Sequence, residues 1–464
     1  MPSGTTEALA ALPFAPTEAT LAAALDVLDA RGMSADDAAL RRAAFARYLE
    51  LPPPGGRPSR GWKHDYAKLR FEDLVWTSDR VSLPALPPRP AAPARDAHDD
   101  DVDFEIDRPA LATENAGGLY FLGGTYLDAP SAVDPRVTVL PLDAHTEREQ
   151  ADVLRGVLHE IVDYRADAFA ALATAFRNCG ALVHVPAGVH LDAPVQLIFA
   201  NGEARDEAVF PHVVVVLGEG ARATVIERFV GEGDPFVCGI VEAHVADGAA
   251  LEYVAVQQAG EAARVLMARG ARCGRDAQVG WRLAELGATL ARTVLNARLD
   301  APGARAETAA LFFNTAMQHV DLTTAVDHAV GMTTSDTVVR TAATDRGQGH
   351  YVGNIIIRPK AHGADASLRD DALILGKRAH VDSIPALEIA ANDVKAYHGA
   401  TVGSLDEEAL FYAGSRGIAR AEALRLITLG FFEPAISRFP GEPLRDEIRT
   451  ALDRKIDDVT EIDG

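Results

Sequence analysis

The sequence has little cysteine. Its three cysteines among 464 residues, Cys179, Cys238 and Cys273, are far apart and form no C-x-x-C pair. This spacing offers neither a disulfide framework nor a local zinc site, and it fits a reducing compartment. Basic residues are also scarce, since 45 Lys and Arg face 67 Asp and Glu, and aromatic residues make up only 6%. Because nucleic-acid binding depends on clustered basic side chains and aromatic stacking, we expect no nucleic-acid partner.

Long apolar runs are equally scarce. The densest one, residues 213–217, has the length of a strand and is too short to cross a bilayer. The first residues, MPSGTTEALAALPFAP, lack the basic start and the continuous apolar core of a signal peptide. We therefore expect a soluble protein of the cytoplasm without a membrane partner.

Motifs for nucleotide binding and catalysis are missing too. Lys377 in LILGKRAH fails as a phosphate loop, because Asp371 takes the place of the first glycine and Arg378 that of the serine or threonine. The segment Gly218-Glu219-Gly220 predicts a turn, since no βαβ unit surrounds it. There is no G-x-S-x-G elbow and no H-E-x-x-H helix. These absences favour a protein without catalytic chemistry of its own.

The N-terminal part predicts helices with a few strands. Alanine and leucine recur at helical spacing over residues 17–51, with Gly32 ending the first helix and Pro52 following the second. A stretch rich in Pro and Asp, 83–103, predicts a linker. The pattern then predicts strands at 118–127 and 137–142 and helices at 147–164 and 167–178.

A long strand-rich region follows, from 181 to 403. Short β-branched segments alternate there with Gly, Asp and Pro turns, and no long amphipathic helix interrupts them. A stacked solenoid needs a small residue at each corner, whereas a large sandwich shows the same alternation of strands and turns. The pattern leaves the two folds nearly equal, and the unbroken run of short strands favours the solenoid. The candidate corners are Gly-Ala pairs: Gly220-Ala221, Gly248-Ala249, Gly270-Ala271, Gly287-Ala288, Gly303-Ala304 and Gly363-Ala364.

Helices return at the C-terminal end. Ser404 and Glu407 match the S-x-x-E capping pattern, and a second helix, 420–429, is predicted to end at Gly430. A last helix carries an apolar stripe that needs a surface to pack on, in this chain or in a partner. We therefore divide the chain into a mostly helical N-terminal domain, 1–178, a β core, 179–405, and a C-terminal helical domain, 406–464. The stripe residues are Leu444, Ile448, Leu452 and Ile456.

The segment QHVDLTTAVDH contains side chains that metals bind. His319 and Asp321 would share one face of a strand, whereas the adjacent Asp327 and His328 would point to opposite faces. All four cannot converge on one ion without help from a turn. A polar strand face is therefore the favoured explanation, and a metal site is the minor one.

His398 in VKAYHGATVG is the other candidate. Gly399 follows it and lets backbone or a ligand approach closely. A histidine before a glycine is more often a turn residue or a partly buried hydrogen-bonding group than a ligand. One histidine is also too few to hold a metal, so any further ligands would come from elsewhere, such as another chain.

The chain resembles the SufB/SufD family, the scaffold proteins of the bacterial SUF machinery for iron–sulfur cluster assembly. The likeness covers roughly the last three quarters of the chain and is most specific near its C-terminal end. SufB sequences carry HEATT and a cysteine in FYCxQRG, whereas this chain has HGATV and FYAGSRG, which favours the SufD branch. The segments that carry the resemblance are HVDSIPALEIAANDVKAYHGATVGSLDEEALFYAGSRGI at 380–418, QHVDLTTAVDH and GRPSRGWKHDYAKL.

The resemblance implies a mainly β fold, with a right-handed parallel β-helix core and helical N-terminal and C-terminal domains. It implies pairing with a SufB-like paralogue through the β-helix and docking of a SufC-like ATPase on the C-terminal helices. It also implies that the HGAT histidine, here His398, lies at the paralogue interface and helps to hold a transient iron–sulfur cluster shared with that partner. The candidate residues for docking the ATPase are Glu408, Phe411, Tyr412 and Arg416.

Cluster binding by this chain alone is not expected. Many members of the family have a cysteine two positions before the histidine, and this chain has Ala396 there. Thiolates are the natural ligands of iron–sulfur clusters, and a histidine can replace one of them. The resemblance therefore implies a cluster held jointly by His398 and the partner, and it leaves open whether the isolated chain forms a homodimer.

Two other functions compete with the non-catalytic scaffold. A carbohydrate-active β-solenoid enzyme would use clustered carboxylates in a groove, and acidic residues are plentiful here. Such enzymes are commonly exported, and the sequence has no export signal. A homo-oligomeric structural protein is the third hypothesis, and the scaffold is the leading one.

Overall fold

The computed structural model describes residues 11–52, 66–82, 115–128, 134–202 and 206–457. The predicted linker, 83–103, and the segment around Trp62 lie outside the described residues. The described helices are α1 Glu18–Asp29, α2 Ala35–Glu50, α3 Ala144–Glu149, α4 Ala151–Leu154, α5 Ala168–Phe176, α6 Glu407–Ser415, α7 Arg420–Ile436 and α8 Glu442–Asp457, with a 3-10 turn at Tyr66–Lys68. The strands before the long repeat are β1 Leu12–Pro13, β2 Val75–Trp76, β3 Asp79–Ser82, β4 Gly117–Leu122, β5 Thr125–Asp128, β6 Thr138–Pro141, β7 Cys179–Val185, β8 Val195–Asn201, β9 Glu207–Val209 and β10 Pro211–Leu217.

A repeated pairing pattern begins after β10. Each strand pairs in parallel with the strand two positions further along the chain, so that Phe236 aligns with Arg264 and Arg264 with Leu290. The even-numbered strands form sheet A and the odd-numbered strands form sheet B. The strands are β11 Arg222–Gly231, β12 Phe236–Val245, β13 Ala250–Ala259, β14 Arg264–Cys273, β15 Gln278–Glu285, β16 Leu290–Leu299, β17 Arg305–Asn314, β18 His319–His328, β19 Thr334–Ala343, β20 Gln348–Ile357, β21 Asp365–Ile374, β22 His380–Ile389 and β23 Lys395–Ser404.

This pairing defines a β-solenoid of about eight turns with helices at both ends. The prediction of a mainly β solenoid is confirmed, because a sandwich would not align each strand with its second successor over so many turns. The right-handed sense of the coil stays a prediction, and so does the division into three domains, although β1–β6 accompany the helices before residue 178.

Glycine corners hold successive turns together. Gly220, Gly248, Gly303 and Gly363 all have a positive φ, which glycine adopts without steric cost. Each donates its N–H to a carbonyl of the following turn, as from Gly220 to Asp247 at 2.9 Å. Gly270 is different, because it lies inside β14, where a Cβ would meet the Ile161 side chain at 2.8 Å. The Gly-Ala pair at 270 is therefore a packing position and not a corner.

Three apolar layers result from this architecture. The core between sheets A and B contains the inward side chains of the strands, including Tyr253, Trp281 and Phe312. The N-terminal helices cover the outer face of sheet A around Phe176. The C-terminal helices cover the outer face of sheet B, where the predicted stripe of α8 is buried against strands β11 to β21. The stripe therefore packs within the chain.

The predicted helix at 147–164 is wrong. Only the short helices α3 and α4 form there, and the chain then turns across sheet A. The reason is Glu242, a fully buried carboxylate of β12. It accepts backbone N–H groups from His159, Ile161 and Val162 at 2.6 to 2.9 Å, which a continuous helix would not leave free.

Two predicted helix boundaries near the C-terminal end are also wrong. Ser404 is the last residue of β23, and Asp406 caps α6 by accepting the N–H of Glu408 at 2.9 Å. Gly430 lies inside α7, which continues to Ile436 because Phe432 is fully buried against Phe313 of β17. Tertiary packing thus overrides a local stop signal.

Candidate functional site at the open end of the solenoid

The last turn of the solenoid leaves its core open. Within the described residues, β22 pairs only with β20 and β23 only with β21, so each strand keeps one unpaired edge. The inner side chains of these strands face no further turn, and Ile389 and Val402 are 45% and 48% exposed. Solenoids need a cap at their ends, and an unpaired strand edge invites another strand. The open end, β22 with β23, is therefore a candidate interaction surface.

His398 lies at the centre of this open end. It aligns with Leu368 of β21, a core residue, so its side chain belongs to the inner face of sheet B. It is exposed and makes no hydrogen bond to any described residue. The sequence favoured a turn or a partly buried hydrogen-bonding role for His398, whereas the structure places it in mid-strand with free ring nitrogens.

The glycine after His398 has a structural explanation. A Cβ at Gly399 would lie 2.6 Å from the hydroxyl oxygen of Tyr397, whose ring lies over the glycine. Tyr397 is exposed on the outer face of β23, on the opposite side from His398. The close approach that the sequence predicted at Gly399 is thus made by Tyr397.

Sequence reasoning missed a buried carboxyl group one strand below. Asp370 of β21 aligns with Ala400 of β23 and is 0% exposed, with both of its oxygens buried. Burial raises the pKa of Asp370 to about 7, and the nearby Ser383 hydroxyl opposes this effect only in part. The sequence ASLRDDALI does indicate that Asp370 is buried, because period-two alternation places it on the same apolar face as Ala366 and Leu368.

The predicted docking residues lie on a second exposed surface. Phe411 and Tyr412 of α6 are 80% and 60% exposed, and Glu408 is exposed in the first turn of the same helix. The Arg416 guanidinium lies 5.2 Å from the Tyr412 ring centroid. Leu410 holds this helix to α7 from the other side. We call Phe411, Tyr412 and their exposed neighbours Ile418 and Leu426 the helical patch.

The four candidate metal residues of β18 do not converge on one ion, although His319 and Asp321 share a face as predicted. His319 Nε2 lies 2.7 Å from Asp321 Oδ1, and Asp321 also accepts a hydrogen bond from the Tyr66 hydroxyl. Asp327 instead pairs with arginines on the surface, and His328 points into the core. No group of three or more His, Cys, Asp or Glu could hold a metal ion in the parts of the chain that the structure describes.

His328 predicts a pH dependence of stability. Its ring is fully buried between Thr333 and Ser335, at 2.8 and 2.9 Å, and burial lowers its pKa to about 4. As the pH falls below about 6.5, the unfolded chain binds a proton that the folded chain refuses, so stability decreases. We expect His328 to contribute a loss of about 1 kcal/mol between pH 8 and pH 6 and about 3 kcal/mol by pH 4.

Urea unfolding of His328→Gln at pH 8, 7 and 6 checks this prediction. The variant should show a shallower decrease in stability than the wild type, whereas replacing the exposed His362 by Gln should leave the decrease unchanged. Parallel curves for the wild type and His328→Gln would contradict the prediction.

A buried ionic network lies deeper in the core. Arg269 of β14 pairs with Glu227 of β11 at 2.5 Å, and Glu285 of β15 accepts the Thr293 hydroxyl at 2.9 Å. Burial raises the pKa of both glutamates. These carboxylates are enclosed between the sheets, so they cannot meet a polymeric substrate.

A cavity of about 350 Å³ lies between the N-terminal helices and the first turns. Three of its four carboxylates pair with arginine: Asp37 with Arg41 at 2.9 Å, Glu147 with Arg177 at 2.5 Å and Asp79 with Arg31 at 3.4 Å. The fourth, Asp143, accepts backbone N–H groups as the cap of α3. Glycoside hydrolysis needs one ionised carboxylate and one carboxyl group free to transfer a proton. The geometry of this cavity therefore does not support the carbohydrate-active alternative.

The thiols of the chain are unsuited to binding a cluster. Cys179, Cys238 and Cys273 are all buried, and burial raises the pKa of each, to about 12 for Cys273. Metal ligation requires the thiolate form and access to the ion. At the open end this chain thus presents an imidazole and no thiol.

In the described part of the chain, these features define a β-solenoid with unpaired strand edges at a histidine-bearing end and with an exposed helical patch. The family model for "SUF system FeS cluster assembly, SufBD core domain" matches residues 198–431. The chain belongs to this SufBD family, and the family resemblance is confirmed.

Curated relatives agree with the family model. The iron–sulfur cluster assembly protein SufD of Bacillus subtilis is 30% identical over 292 residues, 62% of this chain and 66% of the relative. The SufB protein of the same organism is 28% identical over 299 residues, 64% of each chain. The matched region thus spans a little under two thirds of the length of these relatives. In the described part of the chain, no helix is both long and apolar enough to span a bilayer.

Proposed function

We propose that this chain is a SufD-type, non-catalytic scaffold subunit that assembles a transient iron–sulfur cluster together with a SufB-like paralogue. The observation that carries the proposal is the uncapped last turn with His398 on its inner face. Membership of the SufBD family supports a role in iron–sulfur cluster assembly. The chain is 30% identical to a SufD protein and 28% identical to a SufB protein, which supports pairing between paralogues. The proposal places the protein in the cytoplasm.

The open end supports pairing with a second solenoid. Its two free edges can each accept a strand, and its exposed apolar residues would then be covered. A second copy of this chain could use the same edges, so a homodimer in the absence of the paralogue belongs to the proposal. The solution mass of the chain alone and with the paralogue distinguishes the two assemblies.

The helical patch supports docking of a SufC-like ATPase. The chain has no phosphate-binding loop, so nucleotide hydrolysis in the complex falls to another subunit. The patch lies on α6 and α7, outside the solenoid core, and presents aromatic side chains of the kind enriched in protein interfaces.

The cluster is the cargo of this assembly. The exposed imidazole of His398 is suited to iron, and the buried thiols are not, so cysteine ligands would come from the paralogue. A site shared between two chains suits a scaffold that releases what it builds.

The proposal is tested by co-expressing this chain with SufB-like and SufC-like proteins and reconstituting the purified complex with iron and sulfide. We expect one stable complex, and His398→Ala should lower its cluster yield at least tenfold without changing its composition or unfolding midpoint. His380→Ala is a matched control at the start of the neighbouring strand. An unchanged cluster yield in His398→Ala would overturn the role of His398, and failure of all pairings would overturn the scaffold function.

A further inference from the structure

The inner face of the solenoid changes character at its last turn. Along sheet B, the inward positions in register with Asp370 are Ala310 and Val339, both core residues. Across the lumen, Ser383 takes the position that Tyr351 and Leu322 hold in the two turns below. The apolar core thus ends in a polar layer at the mouth of the solenoid.

Asp370 forms no ion pair with the described residues. Its polar neighbour in this layer is the Ser383 hydroxyl, and the oxygens of both side chains are buried. Arg340 on the neighbouring strand points to the outer face instead, where it pairs with Asp371 and lies over the Phe431 ring. Burying a carboxylate without a neighbouring cation costs free energy, and a positively charged ligand would offset that cost.

The route to Asp370 leads through the open end. Ala400 lies directly beside it in register on the last strand, and this side chain is small. His398 is two residues from Ala400 on the same inner face, which puts its Cα roughly 7–8 Å from that of Asp370. This separation is within the combined reach of an aspartate and a histidine side chain on the same face.

We propose that Asp370 is a second metal-binding residue of the shared site and that, with His398, it forms a nitrogen and oxygen docking site for ferrous iron. Carboxylate and imidazole together suit iron(II), and two ligands leave positions open for the partner's groups and sulfide. The inference rests on the proposed function and adds a ligand to it. Asp370 accepts iron before the cluster forms, at an end of the solenoid where this chain presents no thiol.

Metal titration of the assembled complex tests the assignment. The metal-free complex with the SufB-like paralogue is titrated anaerobically with iron(II), and Asp370→Asn should weaken binding at least tenfold. We expect the complex to stay intact and its unfolding midpoint at pH 8 to stay the same or rise, since a neutral amide replaces a buried charge. Asp365→Asn, at an exposed position of the same strand, should bind iron(II) like the wild type.

A cysteine at position 370 tests for direct metal binding, because a purely structural role of Asp370 would produce no metal-dependent absorption band. In Asp370→Cys, cobalt(II) should produce a thiolate-to-cobalt charge-transfer absorption that is missing in the wild type and in Asp365→Cys. Absence of this band, together with wild-type iron(II) affinity in Asp370→Asn, would overturn the proposal.

The outcomes separate this inference from the proposed function. Weaker binding in His398→Ala with normal binding in Asp370→Asn would refute Asp370 and keep the scaffold. Loss of the paralogue from Asp370→Asn with unchanged metal affinity would show that a side chain of the partner pairs with Asp370, and would also overturn the metal role.

Discussion

Arg269→Met is expected to lower the free energy of unfolding by about 3–5 kcal/mol at pH 8, a large part of the stability of an ordinary domain. Arg269 and Glu227 are both almost completely buried, and their ion pair lies between the sheets. Methionine keeps much of the volume but removes the charge. Glu227 and the nearby Glu285 would then be two enclosed carboxylates without a cation.

The double variant Glu227→Leu/Arg269→Met sharpens this prediction. Replacing both partners of a buried ion pair with apolar residues is often neutral or stabilising, so the double variant should recover most of the stability that the single variant loses. Arg298→Met is the matched surface control. Arg298 is half exposed and pairs with Asp300 and Asp327, so its loss should cost less than about 1 kcal/mol.

Urea unfolding followed by far-UV circular dichroism measures all three variants. A loss below about 1 kcal/mol for Arg269→Met would mean that a carboxyl group takes up a proton or water enters the core at little cost. In that case the internal network would not contribute measurably to the stability of the solenoid.

The strands and corners of the solenoid were predictable from local features, whereas the strand pairing and the ionic interior were not. Strand-sized segments and glycine corners such as Gly220 and Gly248 can be recognised in the sequence, and they confirm the fold class. The strand pattern fitted a β-sandwich almost as well as a solenoid, because the two folds differ only in which strands pair. Long-range contacts determine that pairing. The partnership of Glu227 with Arg269 spans 42 residues and depends on the same pairing.

Helix boundaries predicted from local sequence were wrong where a segment makes a contact with a residue distant in the chain. The helix predicted at 147–164 gives way to a turn that satisfies Glu242, a residue more than 70 positions away. Gly430 did not stop α7, because Phe432 packs beneath the helix. In each case a contact with a residue distant in sequence, Glu242 or Phe313, decided the backbone conformation.

The candidate site divides in the same way. His398 was recognised from its motif, and no pairing information was needed for that. Asp370 was overlooked, although its alternation with Ala366 and Leu368 marks it as inward, because only the strand order shows that it lies one turn from an open end. Which residues lie at the open end depends on where the last turn of the solenoid falls, and strand pairing alone shows that position.

Substituting aspartate into the open end or into the helical patch should weaken binding of one proposed partner without affecting the other. Ile389→Asp/Val402→Asp puts two carboxylates at the open end, where a paralogue would bury them without compensation. We expect its affinity for the SufB-like partner to fall at least 100-fold, about 2.7 kcal/mol, while binding of the SufC-like ATPase is kept.

Phe411→Asp should do the opposite, since Phe411 is 80% exposed on α6 and is not part of β22 or β23. Each variant is thus the control for the other, and both change exposed side chains, so the fold should be unaffected. Isothermal titration with each partner measures the two affinities. If the open-end variant bound the paralogue normally, another surface would have to join the two solenoids; if Phe411→Asp lost both partners, a general folding defect would be the simpler explanation. The crossed pattern alone fits a scaffold that holds a paralogue at its open end and an ATPase on its helical patch.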